Sequence, residues 1–348
     1  CTNDFERDMV YNDNCNELSF VTTLANIEGS LTAGGVSRAS GPHYISHEED
    51  WNLTMSSNSR VTPTLSLEGS AGVLGYVYSG TWSSSISTWD YVNNVEFEFS
   101  GDELNSAGDP KFWSRVTDSG KDSLRVYAYA PKELGNIQSG GSSPIGKNPN
   151  GEPTLTFAAN PNVALQYDLI TAKSKSVVND FCKSVDLPFT HALTAIRFKA
   201  GFDCVVKSVS VLGIFNSGNY TLGGEWSLFS TTKDYIIDFG PTGKSVEKGD
   251  MITDNTTTLM LIPQELPANA KIKLVYNDGS GDKEIYADIS NLEWKQGKMI
   301  TYTIHKTQAP ETIYFDLAAD SILIGKKATQ GDVEKYGGNY GIAEGDTI

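Results

Sequence analysis

Apolar and polar positions along this chain alternate in short runs and almost nowhere repeat with the spacing of a helix. In "VEFEF" (95–99), Val95, Phe97 and Phe99 fall on one side and two glutamates on the other, the pattern of a strand with one face covered. Comparable runs predict strands at 18–27 ("LSFVTTLANI"), 73–80 ("VLGYVYSG") and 123–130 ("SLRVYAYA"). Further strands are expected at 189–200, 205–215, 258–262, 271–277, 284–290 and 299–306. "KIKLVYN" and "EIYADIS" flank "DGSGDK", whose glycines suit a hairpin tip. The stretch 135–153 is dense in Gly, Ser, Asn and Pro and predicts a long exposed loop. One segment, "PNVALQYDLITAKSKS" (161–176), carries as much helix as strand character.

Many short strands with regular turn spacing predict an all-β protein built from β-sandwiches. The expected division is a polar tether over 1–17, a first sandwich over 18–185, a second over 186–309 and an extension over 310–348. The extension opens a new alternating run at Ile313, Phe315 and Leu317. Within "LPFTHALTAIRFKAG" (187–201) the alternation slips. Phe189, His191 and Leu193 share one side, whereas Ile196, Phe198 and Ala200 share the other, with Arg197 and Lys199 opposite them. Such a slip marks a β-bulge or a change in which face is covered. His191, one of four histidines, is expected to be structural, packed near the junction and satisfied by one hydrogen-bond partner.

The formal net charge of −16 argues against a nucleic-acid partner and against adsorption to anionic lipid. No apolar stretch approaches the roughly 20 residues of a membrane-spanning helix. "GPTGKS" (240–245) resembles a phosphate-binding loop, but Asp238 stands where that pattern needs a glycine, so a turn between strands is expected. "HYISHEED" (43–50) spaces His43 and His47 four apart, without a third convergent ligand for zinc. No nucleophile elbow, metalloprotease helix or Cys-x-x-Cys pair occurs. No catalytic residue, cofactor or metal is therefore assigned. Trp82, Trp89, Trp113, Trp226 and Trp294 could form an aromatic platform for sugars or, more simply, anchor sandwich cores. Cys1 precedes a polar, acidic stretch, which resembles a mature bacterial lipoprotein acylated on that residue. Cys182 and Cys204 could form a bridge or stay as buried thiols, with Cys15 left over.

Several separated stretches together resemble one family. They are "DSLRVYAYAP" (122–131), "LQYDLITA" (165–172), "LPFTHALTAIRFKAG" (187–201), "LMLIPQELPANAKIKLVY" (259–276) and "LEWKQGKMITYTI" (292–304). In this order, within a span of roughly 18–306, they are similar to the fimbrillin-like proteins of Bacteroidales type V pili. The resemblance implies two tandem transthyretin-like β-sandwich domains on a non-enzymatic lipoprotein at the outer membrane or in a surface fimbria. It also implies assembly by strand exchange: a protease cutting after Arg or Lys removes an N-terminal strand, and a neighbour's C-terminal strand fills the groove. Carried onto this chain, the removed strand is 18–27, the cut falls between Arg38 and Ala39, and the donor strand carries Ile313, Phe315 and Leu317. The implied partners are other fimbrial subunits, a host protein or glycan, and the outer membrane through lipid on Cys1. Two alternatives stand beside this. The protein could stay whole as a tip or anchor subunit. It could instead be a glycan-binding surface lipoprotein with a flat, exposed Trp/Tyr platform. Asp-Ser/Thr-aliphatic triplets at 122–124, 320–322 and 346–348 resemble the O-glycosylation signal of this bacterial group.

Overall fold

The computed structural model describes residues 20–24, 46–49, 69–83, 92–100, 103–106, 108, 123–136, 141–175, 177–178, 184–254, 256–306 and 313–315. These residues form strands and turns, with two single turns of 3-10 helix at Lys132–Gly135 and Val163–Leu165 and no α-helix among them. The chain begins with β1 (Phe20–Leu24), β2 (Ser46–Glu49), β3 (Ser70–Tyr78), β4 (Val92–Ser100), β5 (Glu103–Ser106) and β6 (Ser123–Ala130). It continues with β7 (Ile145–Lys147), β8 (Pro153–Ala158), β9 (Ile170–Lys173), β10 (Val177–Val178), β11 (Val185–His191) and β12 (Thr194–Ala200). Next come β13 (Cys204–Phe215), β14 (Ser217–Thr221), β15 (Trp226–Leu228), β16 (Thr232–Asp238), β17 (Lys244–Val246) and β18 (Leu259–Leu261). The last are β19 (Gln264–Glu265), β20 (Lys271–Asn277), β21 (Asp282–Asp288), β22 (Glu293–Trp294), β23 (Met299–Lys306) and β24 (Ile313–Phe315).

The first sheet runs β10-β6-β3-β4-β5-β1-β11-β9, and β6 also pairs with β9. That extra pairing closes the sheet into a ring, because β6 takes β3 on one side and β9, then β10, on the other. Closure leaves the ring no free edge there to pair with another chain. Alternate residues fill its interior: Ala71, Val73 and Val77 from β3, Leu124, Val126 and Ala128 from β6, and Val185, Leu187 and Phe189 from β11. The intervening Leu74, Tyr76, Tyr127 and Tyr129 turn outward into a second core. Both faces of β3 and β6 are covered, which is why their sequences read as almost unbroken apolar runs.

Two glycines admit Tyr129 to that second core. A Cβ at Gly72 would lie 2.3 Å from the Tyr129 Cζ, and one at Gly135 would lie 1.7 Å from its hydroxyl oxygen. The phenol donates to Asn94 Oδ1 at 2.5 Å, and Asn94 Nδ2 donates to the Gly135 carbonyl at 3.0 Å. Asn94 itself sits at φ 52°, a conformation Asn tolerates better than most side chains. One tyrosine thereby pins β4, β6 and the 3-10 turn together.

The second core lies between two further sheets, β18-β12-β23-β2 and β16-β13-β20-β21. At its centre β12 runs parallel to β23 over Ala195–Ala200 and Met299–Ile304, with Phe198 stacked on Tyr302 at 6.1 Å. Trp294 is 2% exposed, and its Nε1 donates to the Tyr302 hydroxyl at 2.9 Å. Burial pushes the Tyr302 phenol far above its ordinary range, so it stays neutral. A four-stranded sheet, β15-β14-β8-β7, contributes Leu155, Phe157 and Tyr220 to the same core. The outer face of the ring and the second half of the chain therefore share one apolar interior.

Three expectations change. The strand expected at 189–200 is two strands: β11 pairs with β1 and β9 in the ring, and β12 pairs with β18 and β23 in a separate sheet. The alternation slips at Ala192–Leu193 because the chain crosses there from one sheet to another. The sheets accordingly do not part at residue 186. The expected loop 135–153 holds β7, which forms a hairpin with β8. The turn of that hairpin is closed by Asn148, whose Oδ1 accepts from the backbone N–H groups of Asn150 and Glu152 at 2.9 Å each. In 161–176 the helical character amounts to the turn Val163–Leu165, capped by Asn162, before β9 begins.

Candidate subunit interface

Strand β1 sits between β11 and β5. It runs parallel to β11 over five positions, Phe20 with Val185 through Leu24 with Phe189, and antiparallel to β5 over two, Phe20 with Leu104 and Val21 with Glu103. β11 alternates strictly beneath it: Val185, Leu187 and Phe189 are fully buried, while Asp186 and Pro188 are exposed. Leu104 is 1% exposed on the other rim, and Phe99 meets Phe189 edge to face at 5.4 Å. The seat is thus two polar backbone rims above an apolar floor. Fully burying one such side chain is worth about 1.5–3 kcal/mol, and an unpaired rim is an open template for another strand.

The segments flanking Arg38 pair in different places. β1 closes the ring, while β2 lies antiparallel on β23 over Ser46–Glu49 and Ile300–Thr303. Arg38 and Ala39 lie outside the described residues, as do Cys1, Leu317 and the triplets at 320–322 and 346–348. Ile313 and Phe315 fall in β24, which pairs antiparallel with the end of β23, Ile304 opposite Phe315 and Lys306 opposite Ile313. Ile304 already pairs with Ala200 of β12 on its other side. β24 therefore follows β2 along the same edge of β23. Ser123 opens β6 and is 8% exposed, which takes the serine of the 122–124 triplet out of reach in the folded protein.

His191 ends β11. Its Nδ1 lies 2.9 Å from Asp168 Oδ2, and both side chains are 2% exposed. Asp168 Oδ1 and His191 Nε2 have no hydrogen-bond partner among the described residues. The adjoining residues tie the halves together: Ala192 N–H donates to the Leu169 carbonyl at 2.8 Å, and the Ala192 carbonyl accepts from Trp226 Nε1 at 2.8 Å. Gln166 adds a second tie, its Oε1 accepting from Met260 N–H at 2.7 Å. The Asp168 partner went unforeseen because nothing in an isolated "QYDLI" distinguishes its aspartate from the other acids.

The remaining candidates fall in ordinary surroundings. "GPTGKS" forms the turn from β16 into β17, with Gly240 and Gly243 at positive φ. His47 lies in strand β2, so a shared helical face with His43 does not form, and His43 is outside the described residues. No group of three metal-ligating side chains occurs among the described residues. Cys204 is buried and opens β13; Cys15 and Cys182 are not described. Among the described residues no helix is long and apolar enough to cross a membrane. Trp82 is half-buried, with the Arg125 guanidinium 4.4 Å above its ring and Tyr76 and Tyr78 edge-on at 5.4 Å each. Trp294 is core, Trp226 is half-buried, and Trp89 and Trp113 lie outside the described residues. None of the described tryptophans lies on a flat exposed face; Trp226 borders a cleft instead.

A family model described as fimbrillin-like matches residues 59–318. The chain belongs to the fimbrillin-like family. No curated protein matches. Among solved structures, the chain is similar to a candidate cell adhesion protein of Bacteroides ovatus, at 14% identity over 88% of this chain and 99% of that one (TM-score 0.48). It is similar to another from Bacteroides uniformis, at 15% identity over 75% and 95% (TM-score 0.47). A C-terminally truncated tip fimbrial protein of Porphyromonas gingivalis aligns at 9% identity over 78% and 98% (TM-score 0.40). The family assignment rests on the sequence match.

Proposed function

We propose that this chain is a structural, non-enzymatic subunit of a surface fimbria, or its tip or accessory adhesin, held at the outer membrane through lipid on Cys1 before assembly. Assembly proceeds by strand exchange. A protease cuts between Arg38 and Ala39, β1 leaves its seat between β5 and β11, and a strand from a neighbouring subunit takes its place. The observation that carries the reading is the seat of β1, a slot one strand wide whose floor is Leu104, Val185, Leu187 and Phe189. An incoming strand parallel to β11 needs apolar residues at alternate positions in register with Val185, Leu187 and Phe189, and Ile313, Phe315 and Leu317 have that spacing. The two strands flanking Arg38 pair in different sheets, so one cut frees β1 while β2 still tethers the new N-terminal segment to β23. His191 acts as a structural residue at the crossing between the sheets, oriented by Asp168.

The test is digestion of the purified chain with an Arg-specific protease, read by intact mass and native-gel mobility. Cutting after Arg38 followed by a ladder of oligomers is the expected result. A cut chain that stays monomeric, or no cut at Arg38, would overturn the exchange mechanism and leave the whole-subunit alternative.

A further inference from the structure

The hairpin β14–β15 and the two-stranded ribbon β19–β22 come together around an open cleft of about 250 Å³, bordered by Glu225, Trp226, Pro263, Glu265, Glu293 and Gln296, among others. We infer that this cleft is a saccharide site that takes a single terminal pyranose ring, neutral or amino-substituted. The inference stands apart from strand exchange, since the cleft's lining shares no residue with the seat of β1 and needs no second subunit.

The wall is aromatic and held in place. Trp226 is half-buried and locked from behind, by its Nε1 bond to the Ala192 carbonyl and by Tyr220 and Phe157, whose ring centroids lie 5.0 and 5.8 Å away. An indole fixed in this way presents an apolar surface to the C–H face of a sugar without having to be ordered on binding. The rim is polar and rich in acceptors. Gln296 donates its Nε2 to the Tyr220 hydroxyl at 2.9 Å, which orients the amide and leaves Oε1 to accept. Glu265 and Glu293 stand directly opposite each other in the β19–β22 ladder, a like-charge pairing that is unfavourable in a sheet. Among the described residues its ionic relief is Lys295, 3.7 Å from Glu293, with both side chains more than 60% exposed. Sugar hydroxyls satisfy such a rim, since each donates to a carboxylate and can accept from Lys295. The same carboxylates reject sialylated or sulfated sugars by repulsion. Size sets the last limit: about 250 Å³ falls below the roughly 300–1,000 Å³ of clefts that engulf drug-sized ligands, so the cleft contacts one ring at a time.

The test is saturation-transfer NMR on the full chain with methyl β-D-galactoside, N-acetyl-D-glucosamine and L-fucose, each at about 5 mM, where millimolar binding is populated. At least one should receive saturation, strongest at the ring C–H protons that stack on an indole. The exposed-rim variant Glu265→Ala/Gln296→Ala should cut the signal about tenfold with unchanged thermal unfolding. Trp226→Phe, read only if it unfolds at the wild-type temperature, should weaken it as well. No transfer to any of the three sugars would overturn the assignment. So would transfer that survives the rim variant unchanged, or displacement of the sugar by N-acetyl-lysine amide, which would make the cleft a cation site.

Discussion

Two parallel strand pairs lie at the centres of the two halves of this molecule, and they are built differently. β12 and β23 pair over six positions deep in the second core, and β12 is backed on its far side by β18. β1 and β11 pair over five positions, but the far side of β1 meets β5 at only two. The ring closes again across β9 and β11 through just three pairs, Phe189 to His191 opposite Ala172 to Ile170. A parallel ladder embedded between other strands is a permanent part of a core. One held mainly along a single edge can be unzipped without dismantling its neighbours, and the strand that leaves is set between sequence-distant partners. The difference singles out β1 as the strand of the ring held mainly along one edge, the premise of the proposed exchange.

The comparison can be broken most severely at the second core. Phe198→Ala removes a fully buried ring stacked on Tyr302 and should cost about 3–5 kcal/mol. Because the ring's outer face shares that core, circular dichroism should record one transition at a lower temperature; two separate transitions would mean the halves fold independently. Next in size, Gly135→Ala forces Tyr129 out of its place and should cost about 1–3 kcal/mol, measured by urea denaturation. Asp168→Ala leaves His191 Nδ1 buried without its acceptor and should also cost about 1–3 kcal/mol. If that loss tracks faster hydrogen exchange at β9 and β11 but not at β20, the crossing between sheets is the weak seam.

The smallest effect sharpens the contrast by leaving both ladders intact. In the loop before β18, Asp254 Oδ1 accepts from the Thr256 hydroxyl at 2.7 Å and from the Thr257 hydroxyl and two backbone N–H groups. The Thr256 hydroxyl bond leads in holding the Asp254 carboxyl below its ordinary value, and desolvation opposes it. A depressed folded value contributes stability above the ordinary carboxylate range and loses it as pH falls through the folded value. Asp254→Ala should therefore cost only about 0.5 kcal/mol at neutral pH, the carboxylate being exposed. The difference from wild type should vanish in acid, as followed by thermal unfolding across pH.

Alternation along the chain carried much of this architecture. The runs 123–130, 271–277 and 299–306 are β6, β20 and β23 at their observed bounds, and "DGSGDK" spans the turn between β20 and β21. These strands have covered faces, so side-chain period reports them directly. β7 escaped because its three residues carry no apolar alternation and form only against β8. The crossing at Ala192–Leu193 registered as a slip, but a slip looks the same whether a strand bulges or changes sheet. Apart from the β20–β21 hairpin, which strands lie side by side was not legible. Phe20 of β1 pairs with Val185 of β11, a partner far away in sequence, and such pairing is decided by tertiary packing alone. The Trp226 cleft shows the same limit, since tryptophan content does not reveal which indoles turn toward solvent.

The central claim is that β1 is the one strand of the ring built to be replaced, and hydrogen exchange at its two rims tests it most directly. After cutting at Arg38 and stripping the freed segment, amides of 103–106 and 185–189 should exchange faster while those of 195–200 and 299–304 stay protected. Adding a peptide of residues 311–319 should restore protection at the rims. Unchanged rims after removal of β1, or loss of protection across the whole chain, would contradict it.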